Sequence, residues 1–157
     1  MAVKPNKTLS KFSELLIWLQ NLKGLGSNDL WLQPIAEGKW SIREILTHMM
    51  NWDKNSSEMM VPNFTEGANL FFVDIEEHNK VAAALAAHYT DLNMLITDVV
   101  RTRQQLLDLL NKQYNDSIKF KIDNQNYTYK KFVDVFIHHD EHHIKQIEAF
   151  LKQHNNG

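Results

Sequence analysis

Near its C-terminus the chain reads His138-His139-Asp140-Glu141-His142-His143-Ile144-Lys145-Gln146, which contains two overlapping pairs of histidines. The two members of each pair stand four residues apart. On an α-helix, residues at this spacing lie on the same face, one turn above the other. Each pair can therefore offer two imidazoles to one metal ion, because histidine is the commonest metal ligand in proteins.

Helical periodicity distinguishes the two pairs. At about 100° per residue, one narrow stripe of this segment contains Tyr129, Phe132, Phe136, His139, His143, Ile147 and Phe150. His138 and His142 fall outside the stripe, so we expect them to face water. The pair His139 and His143 has two interpretations. Each imidazole packs in the core with a partner for its N–H, or the two bind a metal ion together with a third ligand.

The candidate for the third ligand lies in a second helix, whose start is marked by a capping box. The Ser41 hydroxyl can accept a hydrogen bond from the amide three residues on, while the Glu44 side chain reaches back to the Ser41 amide. We expect this helix to run toward Met60 with an apolar face of Ile42, Ile45, Leu46, Met49, Trp52, Met59 and Met60. His48 lies on the flank of that face, where it is either a ligand or an ordinary border histidine.

The two segments together resemble the signatures of the DinB/YfiT-like superfamily. The first signature is similar to the run Gly38-Lys39-Trp40-Ser41-Ile42-Arg43-Glu44-Ile45-Leu46-Thr47-His48, followed by Trp52. The second is similar to His139-Asp140-Glu141-His142-His143-Ile144-Lys145-Gln146-Ile147, about 90 residues further on. The resemblance extends over nearly the whole chain.

This resemblance implies an all-α fold, a four-helix bundle with a divalent metal site between helices 2 and 4. Residue by residue, it assigns the ligands to His48, His139 and His143. Helical periodicity had selected the same pair on the last helix. Neither signature is specific alone, but their order and separation favour a metal-binding protein of this family.

Three neutral imidazoles would leave at least one coordination position for water or substrate, as in catalytic rather than structural metal sites. Zinc and nickel both suit such ligands. Near the three histidines, Glu44, Asp140 and Gln146 are candidates for orienting a ligand or moving a proton. The alternative for each of them is a solvated residue on a helix surface.

The resemblance also implies a kind of chemistry. Characterised members of the superfamily include metal-dependent transferases that use a low-molecular-weight thiol to modify an electrophile. We therefore expect a thiol-dependent S-transferase or a hydrolase that acts on an electrophilic small molecule. One alternative is a stress-related protein that binds a metal or ligand without turnover. Another is a structural module that dimerises through its helices. A homodimer is expected for the chain, since members of the superfamily often pair through their helices.

Composition agrees with a single domain over residues 1–157, in which 43% hydrophobic residues suffice for one core. The chain has no cysteine, which excludes disulfides, a thiolate metal site and a cysteine nucleophile from the protein itself. Its 17 basic and 19 acidic residues give a net charge of −2 without a basic stripe. We therefore expect no nucleic-acid partner.

No membrane partner is expected, because no apolar run approaches the length of a bilayer span. The segment Met1–Lys7 lacks the apolar stretch of a signal peptide, which predicts a cytoplasmic protein.

Periodicity and turn residues outline the rest of the chain. They predict helices over Thr8–Leu22 (ended by Gly24 and Gly26), Asp74–Ala87 and Thr90–Asn111, a last helix from Thr128, and an extended arm or hairpin at Ile118–Ile122. The loop Asn69–Val73 is unusually apolar. It covers the core, lines a substrate pocket or forms a dimer contact, and the sequence does not decide among these.

Overall fold

The structure is a computed structural model that describes residues 6–24 and 29–155, and six α-helices lie in these ranges. They are α1 (Lys7–Phe12), α2 (Glu14–Leu22), α3 (Ile42–Asn55), α4 (Ile75–Ala86), α5 (Leu92–Gln113) and α6 (Tyr129–Asn155). Ser13 alone separates α1 from α2, so the two form one interrupted helix of the bundle. α2 ends at Leu22, before Gly24, whereas the predicted stop at Gly26 lies outside the described residues.

The interrupted helix α1–α2 forms a four-helix bundle with α3, α5 and α6, and this confirms the predicted fold. Helix α4 packs on α3. Two clusters of buried apolar residues fill the bundle. One is rich in aromatic residues and includes Phe12, Phe64, Phe120, Tyr129, Phe132 and Phe136. The other contains Leu19, Ile42, Leu46, Leu95, Ile96, Val99, Ile147 and Phe150, among others. No helix of the described residues is long and apolar enough to cross a membrane.

Helix α3 begins at the predicted capping box. The amide of Glu44 donates to the Ser41 hydroxyl at 3.3 Å, and the Ser41 amide donates to Glu44 Oε1 at 3.2 Å. Beyond Asn55 the chain continues as a π-helical turn, Ser56–Met60. Met59 was predicted on the apolar face, and this is wrong, because its side chain is 59% exposed. The wider π-helical turn shifts the helical phase, so that of the two methionines predicted on this face only Met60 is buried.

A small sheet closes one end of the bundle. The strands β2 (Phe120–Ile122) and β3 (Gln125–Tyr127) form an antiparallel hairpin, which was one of the two predicted alternatives. Its turn residues, Asp123 and Asn124, both have positive φ, as the tight two-residue turns of hairpins require. Strand β1 (Asn69–Leu70) pairs with β2 in parallel and had not been predicted. This pairing fixes the apolar loop against the bundle.

A buried ion cluster lies between the two apolar clusters, at the middle of the bundle. The Arg103 guanidinium, on α5, is 1% exposed and donates to both carboxylate oxygens of Asp53 on α3, at 2.7 and 3.2 Å. It also donates to both carboxylate oxygens of Asp140 on α6, at 2.8 and 2.9 Å, and to the Phe12 carbonyl on α1 at 3.1 Å. One side chain thus connects every helix of the bundle.

Replacing Arg103 by Met should destabilise the protein by about 3–5 kcal/mol, because the change leaves two carboxylates buried without a cation. The free energy of unfolding, measured in urea, checks this. Arg101→Met is the matched control, since Arg101 lies on the same helix and pairs with Asp98 at the surface. The control should cost less than about 1 kcal/mol. Equal costs for the two variants would show that the buried ion cluster does not stabilise the fold.

Candidate metal centre

Three imidazoles meet between α3 and α6. His139 and His143 stand one turn apart on α6, and His48 faces them from α3. The Nε2 atom of His139 lies 3.1 Å from Nε2 of His48 and 3.1 Å from Nε2 of His143. One ring nitrogen from each of the three residues lies within 4.8 Å of the other two. The structure thus brings together the three residues that the sequence had selected.

Helical periodicity separated the inward pair from the outward pair correctly. His143 is buried and His139 is half-buried, whereas His138 and His142 are exposed. The His48 side chain is buried as well. Trp40 and Trp52 flank it, with ring centroids 5.0 and 6.4 Å from the His48 ring. Aromatic side chains therefore shield His48 from bulk water.

Burial keeps the three imidazoles neutral. Burial and the neighbouring His143 and His78 lower the pKa of His48 to about 4. Burial, followed by the charges of His143 and His48, lowers the pKa of His139 to about 3. Burial also lowers the pKa of His143, although its hydrogen bond to Gln146 opposes the change. Neutral imidazole is the form that binds metal, so at pH 7 no proton has to leave before an ion binds.

The spacing of the nitrogens fits a metal ion. A tetrahedral ion with bonds of roughly 2.0–2.1 Å to imidazole nitrogen holds its ligand atoms about 3.3–3.4 Å apart. The observed contacts of 3.1 Å are close to this spacing. The Nδ1 atom of His143 lies 2.8 Å from Gln146 Oε1, and because that oxygen only accepts hydrogen bonds, the ring proton is on Nδ1. His143 then presents the lone pair of Nε2 toward His139, on the side where the three imidazoles meet.

The three candidates for auxiliary roles have different surroundings. Gln146 contacts a ligand candidate directly, as described above. The Asp140 carboxylate is instead held by Arg103, and the Glu44 carboxylate is held in the capping box. Only Gln146 is therefore placed to orient one of the three histidines.

Sequence reasoning missed two residues of α4 that lie beside the cluster. The centroid of the His78 ring lies 4.3 Å from that of the Trp52 ring, with the two planes tilted by 45°, and 6.5 Å from that of the His48 ring. Asn79 opposes the lowering of the His48 pKa by burial, yet neither Asn79 Oδ1 nor His48 Nδ1 has a hydrogen-bond partner among the described residues. No signal in the sequence connected them to the site, because α4 carries no ligand spacing of its own.

Two clefts border the cluster. The apolar cleft has a volume of about 310 Å³ and is lined by His48, Trp52, Phe72, Val73, Ile75, Asp123, Val135, Phe136 and His139. The second cleft has a volume of about 230 Å³ and is lined by Ile35, Gly38, Lys39, Trp40, Ile45, His143 and Gln146. A larger groove of about 500 Å³ runs between α1–α2 and α6, and none of the three histidines is among the described residues that line it.

The apolar loop Asn69–Val73 has more than one role. Asn69 and Leu70 form strand β1, whereas Phe72 and Val73 line the apolar cleft. Phe71 is exposed. Of the three alternatives that the sequence left open, the geometry therefore supports the lining of a pocket for the second half of the loop.

Comparison with known proteins agrees with this architecture. A model of the DinB superfamily matches residues 12–147, and the chain belongs to that family, as its sequence signatures had indicated. A solved structure with the same fold is YfiT from Bacillus subtilis, described as a probable metal-dependent hydrolase with an unusual four-helix bundle topology. The TM-score is 0.76 at 14% identity, and the match covers 98% of this chain and 94% of that one. No curated protein matches the chain.

The contact with Gln146 predicts the tautomer of His143. In metal-free protein, long-range ¹H–¹⁵N spectra should show the proton of His143 on Nδ1, and Gln146→Leu should produce a mixture of the two tautomers. The change removes the acceptor that selects one form. Gln153→Leu, an exposed position on the same helix, is the control and should leave the spectrum unchanged. A proton on Nε2 in the unmodified protein would contradict the assignment.

Proposed function

We propose that this protein is a metal-dependent enzyme, a hydrolase or a thiol-dependent S-transferase, that acts on an electrophilic small molecule. The observation that carries the proposal is the convergence of three neutral imidazoles, His48, His139 and His143, beside an accessible cleft. In this proposal the three residues hold a divalent ion, zinc or nickel. Both ions accept imidazole ligands, and three protein ligands leave a position open for a reactant.

The ion would supply Lewis-acid chemistry, lowering the pKa of a water or thiol and polarising the electrophile. The chain's own residues prepare the place where this occurs. Gln146 fixes the orientation of His143, and Trp40 and Trp52 exclude water around His48. Electrostatic interactions are stronger in such a dry environment than in bulk water.

The two clefts offer separate approaches for two reactants. The apolar cleft contains Trp52, one turn after His48 on α3, and the second cleft contains Ile45, nearly one turn before it. On α6, Phe136 precedes His139 and lines the apolar cleft, whereas Gln146 follows His143 and lines the second cleft. The histidine cluster therefore lies between the clefts along the helices. An electrophile can enter from one side and water or a small thiol from the other.

A second candidate function is a protein that binds a metal or ligand without turnover. One observation favours it. Among the described residues that line the two clefts, the only carboxylate is that of Asp123, an exposed residue in the hairpin turn. A reaction that requires a general base beside the ion would lack one here. The homodimer and the cytoplasmic location remain predictions from the sequence.

Metal content tests the ligand set. Substituting Ala for His48, His139 or His143 should lower the metal affinity by more than the roughly 10–100-fold expected when an outer hydrogen bond is lost. The measurement is competition with a chromogenic chelator, supported by plasma mass spectrometry of tag-free protein. His142→Ala is the matched control, because His142 lies on the same helix and is exposed. Wild-type affinity in all three variants would overturn the proposed site.

Turnover separates the two candidate functions. The metal-loaded protein should hydrolyse an activated ester, or catalyse the displacement of halide from an activated aryl halide by a small thiol, which yields the thioether and a halide ion. This rate should disappear in the same three variants. His142→Ala should keep the rate. Stoichiometric metal without turnover of either class of electrophile would favour the binding protein over the enzyme.

A further inference from the structure

We infer that the apolar cleft takes a neutral, largely apolar organic molecule, whose reactive group lies against His48 and His139 and whose body extends toward the hairpin turn. This inference rests on the proposed metal centre and adds the substrate class. It follows from the residues that line the cleft and from the change in polarity along its length. It also follows from the lack of a lysine or arginine, among the described lining residues, that could neutralise an anionic substrate.

The inner walls of the cleft are aromatic. Trp52 packs edge-on against Phe72, with ring centroids 6.1 Å apart, and against Phe136 at 6.4 Å. Such rings present large apolar surfaces of fixed shape. A volume of about 310 Å³ is roughly twice the ~150 Å³ that suffices for a benzene molecule in an apolar cavity. The cleft therefore has room for an aryl group or a medium-length alkyl chain.

Polarity changes from the inner to the outer end of the cleft. The inner end is formed by the buried His48 and the half-buried His139, which are the two proposed ligands in the lining of the cleft. At the outer end, Ile75 is 64% exposed and Val135 is 40% exposed. These apolar residues continue the surface of the cleft into solvent, so they offer additional contact area to a long apolar substrate.

Charge selects against anionic substrates. Among the described residues that line the apolar cleft, there is no lysine or arginine, and Asp123 at the rim is negative. A carboxylate or phosphate in the body of the substrate would lose its hydration without gaining a cation, which is unfavourable. The second cleft differs, because Lys39 is part of its lining. The two clefts therefore suit reactants of different charge, and the apolar cleft suits the neutral reactant.

The probes for this inference are alkyl hydroxamic acids, whose two oxygens bind a metal ion and whose tails vary in length. With metal-loaded protein, calorimetry should show that affinity rises about three- to fourfold for each added methylene between acetohydroxamate and octanohydroxamate, until the cleft is filled. A hydroxamate of equal length with a terminal carboxylate should bind at least tenfold more weakly than its neutral counterpart. Both results follow if the tail enters the apolar cleft.

A charge at the rim provides a second test. Val135→Lys should weaken the binding of the long neutral hydroxamates and strengthen that of the carboxylate-tailed one, because it places a cation at the outer end. Met94→Lys is the matched control, since Met94 is also an exposed apolar residue on a helix but does not line the cleft. It should leave both affinities unchanged.

The outcomes distinguish the inferred substrate class from the proposed metal centre. Tight binding of acetohydroxamate with no dependence on tail length or tail charge would overturn the inferred substrate class and leave the metal centre intact. If metal-loaded protein bound no hydroxamate at all, the proposed open metal centre would fail, and the inferred substrate class with it.

Discussion

The pairing of Arg103 with Asp53 and Asp140 is the constraint on which the arrangement of the bundle depends. A guanidinium and two carboxylates are removed from water, and only closely matched hydrogen bonds offset that cost. Burial alone lowers the pKa of Arg103, but the charges of the two carboxylates outweigh it and raise the pKa above its ordinary value. The ring of Phe12 lies 3.9 Å below the guanidinium. Sliding one helix would break several of these contacts together.

The same polar layer positions the candidate metal centre. Asp140 directly follows His139 on α6, and Asp53 lies five residues after His48 on α3, so fixing the two carboxylates also fixes the two helices that present the imidazoles. The Arg103 charge is in addition one of the effects that lower the pKa of His139. The ion cluster therefore sets the register of the histidines and helps to keep one of them neutral. Both are requirements for metal binding.

The family fold and the chemistry of the site are separable. This chain and YfiT share the bundle at 14% identity, which shows how little of the sequence the fold itself requires. The features that bear on reactivity are side chains and loops placed on that frame. The pairing of β1 with β2 holds the loop that contributes Phe72 and Val73 to the apolar cleft. The shape of the apolar cleft thus depends in part on segments outside the four bundle helices.

The sequence by itself determined the features that arise within one helix. The inward pair His139 and His143 and the capping box at Ser41 could be predicted, because their contacts span only three or four residues. The tertiary structure alone decided the partners of Arg103, which lie 50 and 37 residues away along the chain, as well as strand β1 and the apolar cleft. A charged residue in a sequence is normally interpreted as exposed, because such residues are rarely buried unless they are paired. The burial of Arg103 could not be predicted, because its counterions lie on other helices that approach it only in the folded protein.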